Sequence, residues 1–132
     1  MPEILIVLFI VAVLPIILSA SGIYFRVKGL GKFDNKHPRA QQAQLSGAGS
    51  RAVAAQQNAW EALIVFAVVV FIAHAAMVDL HSLAIPAYVF LAARLLHPVL
   101  YIANLATLRS ITFALGWFSC VYIFYVAVRH MQ

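Results

Sequence analysis

The stretch ILIVLFIVAVLPIILSA, residues 4–20, decides the fold. It carries no charge, and only Pro15 and Ser19 interrupt its apolar run. Such a run approaches the ~20 residues that a helix needs to cross a bilayer. A secretory signal would place positive charge before its apolar core; here Glu3 precedes, and Arg26 and Lys28 follow. The segment therefore reads as a retained first transmembrane helix.

Three further apolar segments follow, giving spans at about 4–25, 52–77, 83–103 and 108–128, each close to a bilayer crossing. Hydrophobic residues make up 64% of the 132-residue chain and charged residues only 10%. A soluble domain of this size could not hide so much apolar surface, whereas lipid accepts it as solvent. Only the connection at residues 26–50 is long and polar; the joins at 77–82 and 104–107 are short. Short joins make successive helices antiparallel neighbours. The expectation is an all-α membrane protein: one domain, 1–132, folded as a four-transmembrane-helix up-down bundle.

Charge sets the expected orientation. The net charge of +5 is concentrated in Arg26, Lys28, Lys32, Lys36 and Arg39, all beside or within the long connection. A basic loop belongs on the cytoplasmic side, so the reading is a multi-pass inner-membrane protein with both termini outside. No aromatic–basic interleaving accompanies the cluster, which argues against nucleic acid as a partner. The five histidines show no paired spacing on a helix, which argues against a metal. Cys120 is the only cysteine, so no intrachain disulfide can form, and it reads as a small buried apolar residue.

Polar residues inside the apolar segments are the candidates for function, because a charge at that depth is costly. At ~100° per residue, Arg51, Asn58 and Glu61 fall within about 80° of arc on the second segment. Arg94, His97 and Tyr101 fall within about 60° on the third by the same geometry. Counted from opposite ends, Glu61 and Arg94 each lie about eleven residues in, roughly mid-membrane, so an ion pair between them is expected. Pro98 removes the hydrogen bond to the Arg94 carbonyl and is expected to bend the helix beside His97. Arg109 and Ser110 then open the fourth segment, completing a polar funnel that faces the basic loop. Each residue also has a plainer reading: the charged pair as a helix lock, His97 as packing, and Tyr101, Trp60 and Trp117 as interfacial aromatics. The small residues Ala52, Ala54, Ala55 and Ala59 are expected to serve close helix packing.

These residues in this order, Arg51, Asn58 and Glu61, then Arg94, His97 and Tyr101, then Arg109-Ser110, resemble the MAPEG superfamily, membrane-associated proteins in eicosanoid and glutathione metabolism. The resemblance runs from about Arg51 to the C-terminus. It is closest from Ala93-Arg94-Leu95-Leu96-His97 to Arg109-Ser110-Ile111-Thr112, which look like the third and fourth helices of the prostaglandin synthase branch. It implies a homotrimer with glutathione between subunits. Arg51, Asn58, Glu61, Arg94, His97 and Tyr101 would line or support the glutathione pocket, and Arg109 and Ser110 would act on its thiol. The implied activity is a glutathione transferase or peroxidase-like reaction on a small hydrophobic electrophile. Two departures stand out: Ala54, Ala55, Gln56 and Gln57 occupy positions where glutathione-using members carry basic residues, and Phe113 replaces a tyrosine of the synthase branch. The missing basic residues favour a rival reading, a non-catalytic membrane protein that kept the fold and lost its cofactor. A small drug/proton exporter would need a carboxylate within the first segment, and Ile4 to Tyr24 contains none.

Overall fold

The structure, a computed structural model, describes residues Met1 to Gln132. Its elements are α1 (Glu3–Leu30), a short α2 (Pro38–Gln42), α3 (Gly47–Ala75), α4 (Ala84–Ile102) and α5 (Ala106–His130). A turn of 3-10 helix, Leu80–Leu83, leads into α4. Four of these helices are long and apolar enough to cross a membrane. The protein is a multi-pass, four-helix membrane bundle.

The helix ends differ from the expected ones. Helix α1 continues past Phe25 to Leu30, and α3 begins at Gly47, so the long connection shortens. The physical reason is simple. Hydropathy marks where the bilayer core ends, whereas a helix continues for as long as its own backbone bonds remain favourable. Gly31 then stops α1 at φ 76°, where its N–H bonds the Val27 carbonyl. The remaining connection is folded. The buried Gln41 donates to the Lys32 carbonyl (2.7 Å) and accepts from the Asp34 N–H (3.0 Å). Asp34 in turn accepts from the N–H groups of Lys36 and His37. Those two bonds, His37 first, hold the Asp34 carboxyl below the usual carboxylate range.

Both short joins use the same device. After α3, the Met77 N–H bonds the His74 carbonyl and the Val78 N–H bonds that of Ala73. After α4, Asn104 N–H bonds Tyr101 and Leu105 N–H bonds Leu100. Each is a Schellman end with its left-handed residue at Met77 (φ 61°) or Asn104 (φ 63°).

Helix α1 packs on α3 and α5 packs on α4, with α3 bridging the two pairs. The α1–α3 seam is close because small residues line it: Gly49, Ala52, Ala55 and Ala59 are all buried. A Cβ added at Gly49 would lie 3.3 Å from Phe25 Cβ. Gln56 crosses the same seam and donates to the Pro15 carbonyl at 3.2 Å. The main apolar core sits at the end away from the basic loop, around Ile4, Val7, Phe66, Leu83, Phe90 and Ile123. There the Phe66 and Phe90 rings stack with centroids 4.1 Å apart. Most large apolar side chains, among them Phe9, Ile64, Phe71, Ile85 and Phe118, face outward. That exterior suits lipid and other protein surfaces, where it needs no protein core of its own.

Candidate functional site

Gly116 in α5 explains how a guanidinium comes to lie inside the bundle. A Cβ built on it would meet the Arg94 Cδ at 3.7 Å and the Phe90 ring at the same distance. The missing side chain leaves room for the Arg94 stem, and Arg94 is the largest fully buried side chain, 2% exposed. Its Nη2 donates to Asn58 Oδ1 at 2.7 Å. The Asn58 amide points on to Glu61 Oε2 at 3.5 Å. The Arg94 Nε has no hydrogen-bond partner.

The expected Glu61–Arg94 ion pair is therefore corrected. No salt bridge joins them, because Asn58 stands at the level of Arg94. Glu61 lies three residues further along α3, ~4.5 Å along the axis, and is exposed. A neutral amide bridges the two charges. It accepts from the guanidinium without itself carrying a charge into the bundle.

One turn along α4, His97 is equally buried, and its Nδ1 lacks a partner. Its ring meets Tyr101 edge-on at 5.6 Å. The Arg109 guanidinium, from the first turn of α5, lies 4.4 Å from the Tyr101 centroid. This cation–π contact fixes Arg109 at the loop end of the bundle. No side chain caps the start of α5, so the positive end of its dipole adds to the charge there. Ser110 donates its hydroxyl proton to the Ala106 carbonyl at 3.0 Å. It must turn from that carbonyl before it can donate elsewhere.

Two adjoining clefts result. One, of about 140 Å³, lies among α3, α4 and α5, with Asn58, Glu61, Arg94, Phe113, Trp117 and Cys120 in its wall. The other, of about 250 Å³, is nearer the loop end and is lined by Asn58, His97, Tyr101, Arg109, Ser110 and Phe113. Asn58 and Phe113 belong to both. Of the residues singled out from the sequence, seven line one cleft or the other: Asn58, Glu61, Arg94, His97, Tyr101, Arg109 and Ser110. Arg51 does not. Its Nε donates to the Ile102 carbonyl at 3.0 Å, satisfying a carbonyl in the last turn of α4 and tying that turn to the start of α3. The apolar wall of Phe113, Trp117 and Cys120 was not foreseen as part of a site. Its available signal was Gly116, a residue without a side chain in the middle of a membrane helix.

Electrostatically the site is cationic and under-satisfied. Two buried nitrogens, Arg94 Nε and His97 Nδ1, have no partner, and leaving such a group unpaired typically costs ~1–3 kcal/mol. The guanidinium nitrogen calls for an acceptor, and the imidazole nitrogen for a donor or an acceptor according to its tautomer. No group of three His, Cys, Asp or Glu side chains is placed to hold a metal ion.

Compared with known families, residues 4–129 match the MAPEG family. No curated protein and no solved structure matches the chain significantly.

Proposed function

This chain belongs to the MAPEG family, a family of membrane proteins in glutathione and eicosanoid metabolism, and on that premise we propose that it is a glutathione-dependent transferase or peroxidase-like protein acting on hydrophobic electrophiles. The observation that carries the reading is convergence. Asn58, Arg94, His97, Tyr101, Arg109 and Ser110 come from three helices and meet in two adjoining clefts at one end of the bundle. Glutathione would supply the thiol. Its carboxylates suit the cationic end formed by Arg94 and Arg109, and its amine suits Glu61. Arg109 favours the thiolate by charge, helped by the N-terminus of α5. Ser110, once turned from the Ala106 carbonyl, gives the sulfur one hydrogen bond. Phe113 and Trp117 offer an apolar wall to an electrophile arriving from lipid.

Assembly and orientation belong to the same proposal. Clefts of about 140 and 250 Å³ fall below the ~300–1,000 Å³ usual for ligand pockets. A neighbouring subunit of a homotrimer would complete the wall. The basic connection would face the cytoplasm of a cell whose inner membrane holds the protein, with both termini outside.

A second reading, a MAPEG-fold protein without the chemistry, is favoured by one specific observation. Ala55 and Gln56 are committed to the α1–α3 seam, so basic residues are absent there for a packing reason. One experiment separates the two: ultraviolet titration of the purified protein with glutathione, alongside conjugation of a generic aromatic electrophile. A free thiol has pKa ~8.5, so thiolate absorbance near neutral pH that disappears in Arg109→Ala supports the enzyme. Neither thiolate nor turnover at millimolar glutathione supports the relic.

A further inference from the structure

We propose that the folded connection between α1 and α3 binds one anionic glycerophospholipid, its phosphate within reach of Lys28 and Lys32 and an acyl chain running down α1. Two clefts adjoin there. One, of about 360 Å³, has Phe25, Leu30 and Leu45 as apolar wall and also takes in Lys28 and Ser46. The other, of about 460 Å³, is polar and is lined by Lys32, His37, Gln41 and Gln44 among others. Leu30 and Gln44 belong to both, so a headgroup in the polar cleft continues into the apolar one. Both volumes fall within the ~300–1,000 Å³ usual for ligand sites.

The charge around these clefts is uncompensated. Residues 26–50 hold Arg26, Lys28, Lys32, Lys36 and Arg39 against a single carboxylate, Asp34. No Lys or Arg side chain is in a salt bridge, since both ion pairs of the structure use histidine. Asp34 lines the polar cleft, but its oxygens are taken. Oδ1 accepts from the backbone N–H groups of Lys36 and His37, and Oδ2 lies 3.4 Å from His37 Nδ1. Lys28, Lys32, Lys36 and Arg39 are exposed, and the buried Arg26, 4.7 Å from the Phe33 centroid, adds a fixed charge. A zwitterionic headgroup would bring an ammonium into this field and find no free carboxylate. An anionic headgroup brings only the charge that is missing.

The connection is a shaped surface and not a loose basic tail. Leu45 keys it between α1 and α3: a Cβ built on Gly29 or Gly49 would meet Leu45 Cδ2 at 3.8 or 3.2 Å. Lys28 Nζ donates to the Tyr24 hydroxyl at 3.2 Å, which holds the ammonium against α1. Lys28, Tyr24 and Ile17 share one stripe of that helix, and Tyr24 and Ile17 are exposed. The stripe leads from the apolar cleft into the membrane-crossing part of α1 and gives an acyl chain its path. Ser46 makes no side-chain cap, so the positive end of the α3 dipole adds to the charge beside the same cleft. A free phosphate would meet the same cations but leave the apolar half empty. The site needs only the membrane bundle and its connection, so it stands apart from the glutathione reading.

The test is native mass spectrometry of the delipidated protein in mild detergent, titrated with phosphatidylglycerol or with phosphatidylcholine of the same acyl chains. Phosphatidylglycerol should bind about tenfold more tightly, one lipid per chain. Lys28→Gln/Lys32→Gln should weaken it by roughly 25-fold, at ~1 kcal/mol for each cation, and leave phosphatidylcholine nearly unchanged. Lys36→Gln/Arg39→Gln removes the same charge from residues outside both clefts and should cost less than about fivefold. All four side chains are exposed, so both double variants should keep the wild-type Tm. Excess glycerol phosphate, which has the anion but no acyl chain, should not displace the lipid. Equal binding of the two lipids overturns the anionic preference. Equal losses in the two double variants would reveal a diffuse field and overturn the cleft, and displacement by glycerol phosphate overturns a lipid as the occupant.

Discussion

Replacing Asn58 by leucine keeps the volume and removes the acceptor of the Arg94 guanidinium. The 2.7 Å bond is the only hydrogen bond the Arg94 side chain makes. A hydrogen bond to a charged group contributes ~1.5–3 kcal/mol, and an uncompensated buried charge typically costs ~3–5 kcal/mol. Asn58 itself is half-buried, so we take the lower part of this range, ~3 kcal/mol. At roughly 3–4 °C per kcal/mol for a chain of this length, Asn58→Leu should lower Tm by about 10 °C in a detergent thermal scan. Glu61→Gln should cost less than ~1 kcal/mol, because Glu61 is exposed and reaches only Asn58, at 3.5 Å. The double variant Asn58→Leu/Arg94→Met should lose much less than the sum of its single losses, since removing the cation abolishes the need for the acceptor. Strict additivity would show that the pair does not interact. A Glu61→Gln loss as large as that of Asn58→Leu would restore the direct ion pair and refute the bridging role of the amide.

Four further outcomes are expected. Met77→Gly should stabilise the protein by ~1 kcal/mol, seen as a higher Tm, because it relieves an exposed left-handed residue. Ala55→Arg should leave little folded protein by size-exclusion, since the position is wholly buried in the α1–α3 seam. Gln57→Arg, at an exposed position beside Asn58, should fold normally and tighten glutathione binding about tenfold by calorimetry, through a charge-assisted bond that glutamine cannot make. The Asp34 turn should hold above the ordinary aspartate value of 3.8 and be lost as pH falls through the lowered folded value, because a depressed carboxyl contributes only while ionised. Amide exchange at Lys36 and His37 reads it, and Asp34→Asn should remove most of the pH dependence.

The bilayer crossings were legible in the sequence because lipid tolerates almost nothing but long apolar helices. The helix ends were not. Leu30 and Gly47 lie where polar surroundings allow helix or loop equally, and the choice falls to local bonds such as Gly31 N–H to the Val27 carbonyl. Asn104 announced its turn, being a residue that tolerates positive φ. Met77 in the same conformation gave no such sign, because the local bonds of its own N–H to the His74 carbonyl and of the Val78 N–H to the Ala73 carbonyl, rather than propensity, hold it there. In the site, helical periodicity was enough to put Arg94, His97 and Tyr101 on one face. Periodicity says nothing of the stagger between two antiparallel helices, and a stagger of ~4.5 Å decides whether Arg94 meets Asn58 or Glu61.

The distribution of packing gives this bundle its logic. Away from the loop, Phe66, Phe90, Leu83 and Ile123 fill a dry core, and Glu3 closes that end against His81 at 3.1 Å. Towards the loop, the α1–α3 seam is built of glycine and alanine, and α4 and α5 pack around the buried polar side chains of Arg94 and His97. A guanidinium and an imidazole with unpartnered nitrogens are destabilising at that depth. They can be kept there because the opposite half of the bundle is well packed. A sequence selected for stability alone would replace Arg94 and His97 with leucine and fill the space at Gly116. Two polar nitrogens without partners, an arginine stacked on Tyr101 and a glycine opposite Arg94 make the loop end the less stable half of this bundle.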